Sequence, residues 1–253
     1  MFREIMIVLV MSHTIGDFYL QTNKIAKKKE KSFKWLCLHG LLYWLSFFLV
    51  SLPVLSLEIF LCGLVMGVVH LIIDSIKFIV MNYSKRKKKL TSNYRRNMYL
   101  LDQVAHVAGL IAGGYFFASG NYGVELISLC RDFINVTGIP ALKAVCIVLA
   151  ILLIHKPANI TISHLLVGYK PKKELSDLQV QDYKAGRFIG SVERMIMLIL
   201  LVLGQYSAIG LVLTAKSIAR YDEIAKNKIT AEYYLLGTLM STGFAIVVSF
   251  FLT

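Results

Sequence analysis

The residues best equipped for chemistry are histidines and aspartates set at helical spacing inside apolar sequence. His13, Asp17 and Gln21 stand at i, i+4 and i+8. His70 and Asp74 repeat the i, i+4 step, with Lys77 close to one turn further on. Asp102 and His106 repeat it in reverse order, and His39 lies alone in an apolar stretch. Residues four apart share a helix face, with Cβ atoms about 5–6 Å apart. Each pair can therefore aim two ligands at one point. Imidazole with carboxylate suits zinc, manganese or iron, and His13, Asp17, His39, His70, Asp74, Asp102 and His106 are enough ligands for two such ions. Open coordination positions would activate water for hydrolysis, with Asp17, Asp74 and Asp102 as the candidate catalytic carboxylates. Gln21, Gln103 and Glu193 are candidates to hydrogen-bond those ligands from behind. Two other chemistries fit the same residues: a polar network that locks helices together, and a relay for protons or ions.

A second charged group comprises Arg187, Glu193, Arg194, Lys216, Arg220 and Glu232. Lys216 and Arg220 can snorkel to an interface, and Glu232 can sit at a helix N-terminus. The alternative is a site for an anionic headgroup or phosphate made by Arg194, Lys216 and Arg220, which His155, Lys156 and Asn159 can join. His164 is expected in a loop facing solvent.

These residues need elements to position them, and the composition says which kind. Of 253 residues, 57% are hydrophobic and 17% charged, against about 25% charged in soluble domains. The apolar excess forms long runs, and about 20 apolar residues cross a bilayer as a helix. The runs fall at about 4–22, 35–52, 55–82, 97–118, 139–155, 187–203, 206–221 and 231–252. The sixth and seventh part near Gly204 and Gln205, or form one long helix, so seven spans are the alternative to eight. The expected fold is an all-α polytopic bundle. Its expected sections are 1–120 with four spans and the His/Asp residues, 121–186 with the fifth span and its loops, and 187–253 with the charged cluster. A weakly charged segment with Glu125, Arg131 and Asp132 suits a short interfacial helix. An ionised Asp at mid-bilayer costs about 3 kcal/mol, so three of them in spans demand a compensating cation.

The net charge is +13, and its placement explains it without nucleic acid. All of the Lys and Arg except Arg3, Lys77, Arg131, Lys143 and Arg194 lie in or beside the loops after the first, third, fifth and seventh spans. Basic loops stay on the cytoplasmic side, which puts the N-terminus outside and all four His/Asp groups in the cytoplasmic half of the membrane. Cys37, Cys62, Cys130 and Cys146 form no CxxC pair and read as small core residues. The first apolar run lacks a basic n-region and a small-residue cleavage site, so it reads as a retained span. No Gly-rich phosphate loop, serine-centred triad or haem motif stands out, and no nucleotide cofactor is expected. The expected partners are membrane lipid and a lipid-linked substrate.

The segment His13-Thr-Ile-Gly-Asp17-Phe-Tyr-Leu-Gln21 resembles the opening of a bacterial membrane family known as domain of unknown function 3307. Its later histidine, His-x-x-x-Asp and Asp-Gln-x-x-His elements match His39, His70 to Asp74, and Asp102-Gln103 to His106. The resemblance covers about residues 5 to 110. Longer members share features matched here by Lys156-Pro-Ala-Asn159, Gly190-Ser-Val-Glu193-Arg194, Ala215-Lys216-Ser217 and Ala231-Glu232-Tyr233. The resemblance implies a bacterial inner-membrane protein but carries no activity. A looser likeness to membrane-embedded metal-dependent hydrolases is analogy at the level of the fold. The reading that follows is a metal-dependent hydrolase acting on a lipid or lipid-linked phosphate, with a transporter or a membrane scaffold as alternatives.

Overall fold

The computed structural model describes residues 1–170, 177–221, 225 and 228–252, and within it the side chains of 177–185 are not described. The expected polar break around Pro171 and the basic loop at Lys226 lie outside those residues. Among the described residues every regular element is helical. They are α1 (Phe2–Thr14), running on into a π-helical turn (Ile15–Leu20), α2 (Asn23–Lys29), α3 (Phe33–Ser51), α4 (Leu57–Arg86), α5 (Ser92–Ser119), α6 (Ser128–Thr137), α7 (Ala141–Leu165), α8 (Asp177–Val202), α9 (Tyr206–Ala219) and α10 (Lys228–Ser249).

Five stretches are long and apolar enough to cross a membrane: Phe33–Val54, Leu57–Arg86, Ser92–Ser119, Ala141–Gly168 and Lys228–Ser249. A sixth is Phe2–Leu20 taken with Asn23–Lys29, which is bent by 92°. This is fewer than the eight expected. The shortfall lies at α8 and α9. The apolar end of α8 carries Arg187, Glu193 and Arg194. The 14 residues of α9 reach only about 21 Å at 1.5 Å per residue, short of a hydrocarbon core of about 30 Å. Between them Gly204 takes φ +68°, a left-handed turn that glycine accepts without strain. The break near Gly204 and Gln205 is therefore real.

The helices cluster into two units, Met1–Val145 and Cys146–Thr253. In the first, α1 packs on α3 and α5, and α4 packs on α3 and α5. Side-chain caps start three of these elements. Thr22 accepts from the Ile25 N–H, Ser56 from Ile59 and Thr91 from Tyr94, at 3.2–3.3 Å, each satisfying a backbone donor that the helix itself leaves free. One end of the bundle is filled by Ile5, Leu9, Phe47, Ile59, Met66, Leu110 and Phe117. Continuing down the same inner faces, the next layer is His and Asp. In α4 the inward stripe reads Ile59, Gly63, Met66, His70, Asp74. The outward stripe of that helix is Leu57, Leu61, Val65, Val68, Ile72, Ile76 and Ile79. Val65 is 61% exposed while Asp74 is 2% exposed. Exposed apolar area on this scale is foreign to a soluble monomer and natural against lipid. The polar layer lies towards the end of the bundle where the basic segments 24–34 and 85–96 join the helices.

The short helix expected after the fourth span is α6. It exposes Leu129, Phe133 and Val136 along one face and ends on Gly138 in the left-handed conformation. Its start is tied to the α3–α4 turn, where Ile127 N–H donates to the Pro53 carbonyl at 2.9 Å.

In the second unit α8 packs on α9 and α10, around Ala150, Ile154, Leu198 and Val248. Helix α7 runs through Pro157 to Leu165, past the expected end at 155, so His164 sits in its last helical turn and not in a loop. A proline inside a helix disturbs the carbonyls one turn before it. Here the Ile154 carbonyl, three residues before Pro157, accepts from Arg194 Nε at 2.7 Å, which ties α7 to α8 beside the proline.

Candidate metal centre

Helix α1 widens at its end. The Gln21 N–H bonds to the Gly16 carbonyl at 3.2 Å, a five-residue step of a π turn, a form of helix often found at functional sites. A Cβ on Gly16 would lie 2.9 Å from Ser46 Oγ and Tyr43 Cδ2, so glycine is what lets this turn press against α3. Ser46 Oγ donates to the Ser12 carbonyl at 2.8 Å and locks the same contact. Asp17 is thereby delivered to the bundle axis.

Four ligand atoms from three different regions of chain meet there. His39 Nε2 lies 3.1 Å from Asp17 Oδ1 and 3.3 Å from Asp74 Oδ2. His70 Nε2 lies 3.4 Å and 3.6 Å from the same two oxygens, and the two Nε2 atoms are 3.1 Å apart. A tetrahedral zinc ion with bonds of about 2.0–2.2 Å would separate its ligands by about 3.3–3.6 Å, so each imidazole stands from the other, and from the two carboxylates, at about the distance that shared ligation requires. Tyr43 stacks on the His70 ring at 3.7 Å and 9°, holding its orientation.

Three overlapping groups have ligand atoms all within 4.8 Å of one another: His13, Asp17 and His70; His39, His70 and Asp74; and Asp74, Asp102 and His106. All seven residues that the sequence singles out as metal ligands are buried. His106 Nδ1 lies 2.8 Å from the Asp102 carbonyl, which can only accept. That contact assigns the proton to Nδ1 and leaves a lone pair on Nε2, the pattern of metal-ligating histidines. His106 Nε2 and Asp102 Oδ1 are buried without a hydrogen-bond partner, as are Nδ1 of His13, His39 and His70.

Two lysines answer part of the charge. Lys29 Nζ reaches both oxygens of Asp74, at 2.9 and 3.2 Å. Lys77 Nζ lies 2.7 Å from Asp102 Oδ2. Among the described residues Asp17 has only imidazoles within ion-pair distance, His39, His70 and, at 3.9 Å, His13. Three carboxylates against two ammonium groups leave one negative charge in a dry site, which a divalent ion or a protonated imidazole must meet. The group can therefore hold metal.

Of the supporting residues expected from sequence, Gln103 Nε2 donates to Asp102 Oδ2 at 3.3 Å. Gln21 has a buried Oε1 without a partner. Glu193 belongs to the second unit, where it pairs with Lys216 at 2.5 Å. Arg194 is 2% exposed and donates to the Ile154 carbonyl, Ser241 Oγ, Asn159 Oδ1 and Ser191 Oγ. The structure thus joins Arg194 with Asn159, while Lys216 is taken up by a carboxylate. Lys156 sits beside Pro157 on α7 and Arg220 follows the last turn of α9.

Two residues of the centre escaped the sequence reading. Tyr43 lies one turn after His39, and that spacing could have found it. Lys29 lies in a lysine run where no local signal separates it from its neighbours; only the 92° bend before α2 turns it onto Asp74.

No curated protein and no solved structure matches the chain. Residues 5–130 match the family model described as "Protein of unknown function (DUF3307)", and the N-terminal part of the chain, with every residue of the His/Asp centre, resembles that family.

Proposed function

We propose that the chain is a metalloprotein of a bacterial inner membrane that hydrolyses a phosphate ester carried by a lipid or lipid-linked group. The observation that carries this reading is the buried meeting of Asp17, His39, His70 and Asp74, whose imidazole nitrogens lie 3.1–3.6 Å from one another and from the carboxylate oxygens. In this reading a zinc ion is held among those four, and Asp74, Asp102 and His106 offer a second seat. A divalent ion held by three of these residues at either seat would keep a position open and would supply Lewis acidity and an acidified water. Asp102, whose Oδ1 accepts no hydrogen bond, is placed to take a proton, and Gln103 steadies its other oxygen. The helices count as eight spans when α8 and α9 cross with support from their neighbours, and the basic loops then keep the N-terminus outside and open the centre towards the cytoplasm.

The metal content of the purified, full-length protein tests this directly. Mass spectrometry should find zinc near stoichiometric amounts, and His39→Ala or Asp74→Asn should remove it while the helical fold persists. Below about 0.1 equivalent of any transition metal after reconstitution, the reading fails, because built sites retain their ions. A proton or ion path is the second reading, supported by the continuous run Asp17, His39, His70, Asp74 at 3.1–3.6 Å. Ion flux in liposomes that Asp17→Asn abolishes would select it.

A further inference from the structure

We propose that Lys29 and Lys77 are the anion-holding residues of the His/Asp centre, and that the group they hold is a phosphate ester; this rests on the metal-binding reading above. Both ammonium groups now sit on carboxylates that the metal would claim: Lys29 on the two oxygens of Asp74, Lys77 on Oδ2 of Asp102, whose Oδ1 accepts no hydrogen bond. Their side chains are 12% and 26% exposed, so neither is a freely hydrated surface lysine. When a divalent ion draws on those carboxylates, each ammonium loses counter-charge without leaving the site. An ammonium left buried and unpaired is costly, and the cheapest remedy within reach is a new anion.

The charge balance points the same way. The three carboxylates exceed the two lysines by one. One divalent ion turns the centre to a net charge of about +1 and two ions to about +3, with histidines neutral. A centre that is negative when empty and positive when loaded recognises an anion only after it has bound metal. Lysine suits a phosphate as a compact point charge on a flexible stem. The two lysines approach from α2 and α4, so they can hold different oxygens of one phosphoryl group.

The test uses full-length protein in detergent micelles with zinc as the metal. Inorganic phosphate is one probe, and micelles doped with phosphatidic acid are the other; the first reads the bare ion and the second the lipid-borne ester. Zinc-loaded wild type should bind at least one of them. Lys29→Met and Lys77→Met should each keep zinc, as tightly or more tightly, and lose about tenfold or more in phosphate affinity, as expected for one charge-assisted contact. Lys77→Arg should retain most of it. A readout that needs no variant is amine acetylation of the wild type followed by mass spectrometry. Labelling of Lys29 and Lys77 should rise on zinc loading and fall again on adding phosphate. The proposal is overturned if zinc-loaded wild type binds neither probe, if both methionine variants bind phosphate as wild type does, if they fold but lose zinc, or if labelling ignores zinc. Those outcomes leave the metal site standing, whereas absence of zinc binding in the wild type removes the reading beneath.

Discussion

The Lys29–Asp74 pair gives the sharpest test of how the polar layer is held together before metal enters. Asp74 is 2% exposed and Lys29 has 12% of its side chain exposed, so the contact is largely desolvated. Replacing Asp74 with Asn keeps the shape and removes the charge, leaving the Lys29 ammonium facing an amide. Breaking one partner of a buried pair costs about 3–5 kcal/mol. At about 2–4 °C per kcal/mol for a chain of this size, the melting temperature of chelator-treated protein should fall by about 6–20 °C. Lys29→Met in the same protein leaves Asp74 with His39 and His70 at 3.3 and 3.6 Å, and an imidazole can take a proton to answer it, so its cost should be smaller. The double variant removes both charges and should recover most of the loss, with a coupling of about 2 kcal/mol or more. Thermal unfolding in detergent, followed by circular dichroism, measures all four corners of the cycle. Additive losses in the double variant would refute the claim that these two groups neutralise each other.

Three further outcomes follow from the packing. A Cβ on Gly63 would lie 2.3 Å from Phe47 Cδ1, whereas one on Gly67 would lie 3.4 Å from Trp44 Cδ1. Gly63→Ala should therefore cost about 1–3 kcal/mol by overpacking, and Gly67→Ala should leave the melting temperature unchanged or raise it. Arg194→Met strands the acceptors on Asn159 and Ser241 and the Ile154 carbonyl; at about 1–3 kcal/mol per unsatisfied buried group it should be severely destabilising. Arg194→Lys should not rescue it, since an ammonium cannot reach partners spread over three nitrogens, and a melting temperature for the Arg194→Lys variant equal to that of wild type would contradict this. Glu193→Gln should lower stability by leaving Lys216 uncompensated, and adding Lys216→Met should restore part of it, as a second double-mutant cycle in the C-terminal unit can read.

Much of this was written in short-range pattern. The i, i+4 spacing of His13 with Asp17, His70 with Asp74, and Asp102 with His106 is a property of any helix, so it predicted shared faces without knowledge of the bundle. The apolar runs likewise announced long lipid-compatible helices, because hydrocarbon demands internally bonded backbone and apolar side chains. Where the sequence reading erred, it read local rules without the partner that overrides them. The fifth apolar run reads as ending at 155, yet α7 continues through Pro157 to Leu165. Eight apolar runs read as eight equal spans until the charges of α8 and the shortness of α9 are weighed.

The sequence by itself determined the helices, the faces that carry imidazole and carboxylate, and the basic ends of the bundle, since each depends on residues within a turn or two. Only the tertiary structure decided that Nε2 of His39 and His70 meet between Asp17 and Asp74, that the π turn at Gly16 delivers Asp17, and that Lys29 alone of its lysine run folds back onto Asp74. Those facts depend on how separate helices approach, bend and rotate against one another. Helical periodicity carries no information about distances between segments more than twenty residues apart.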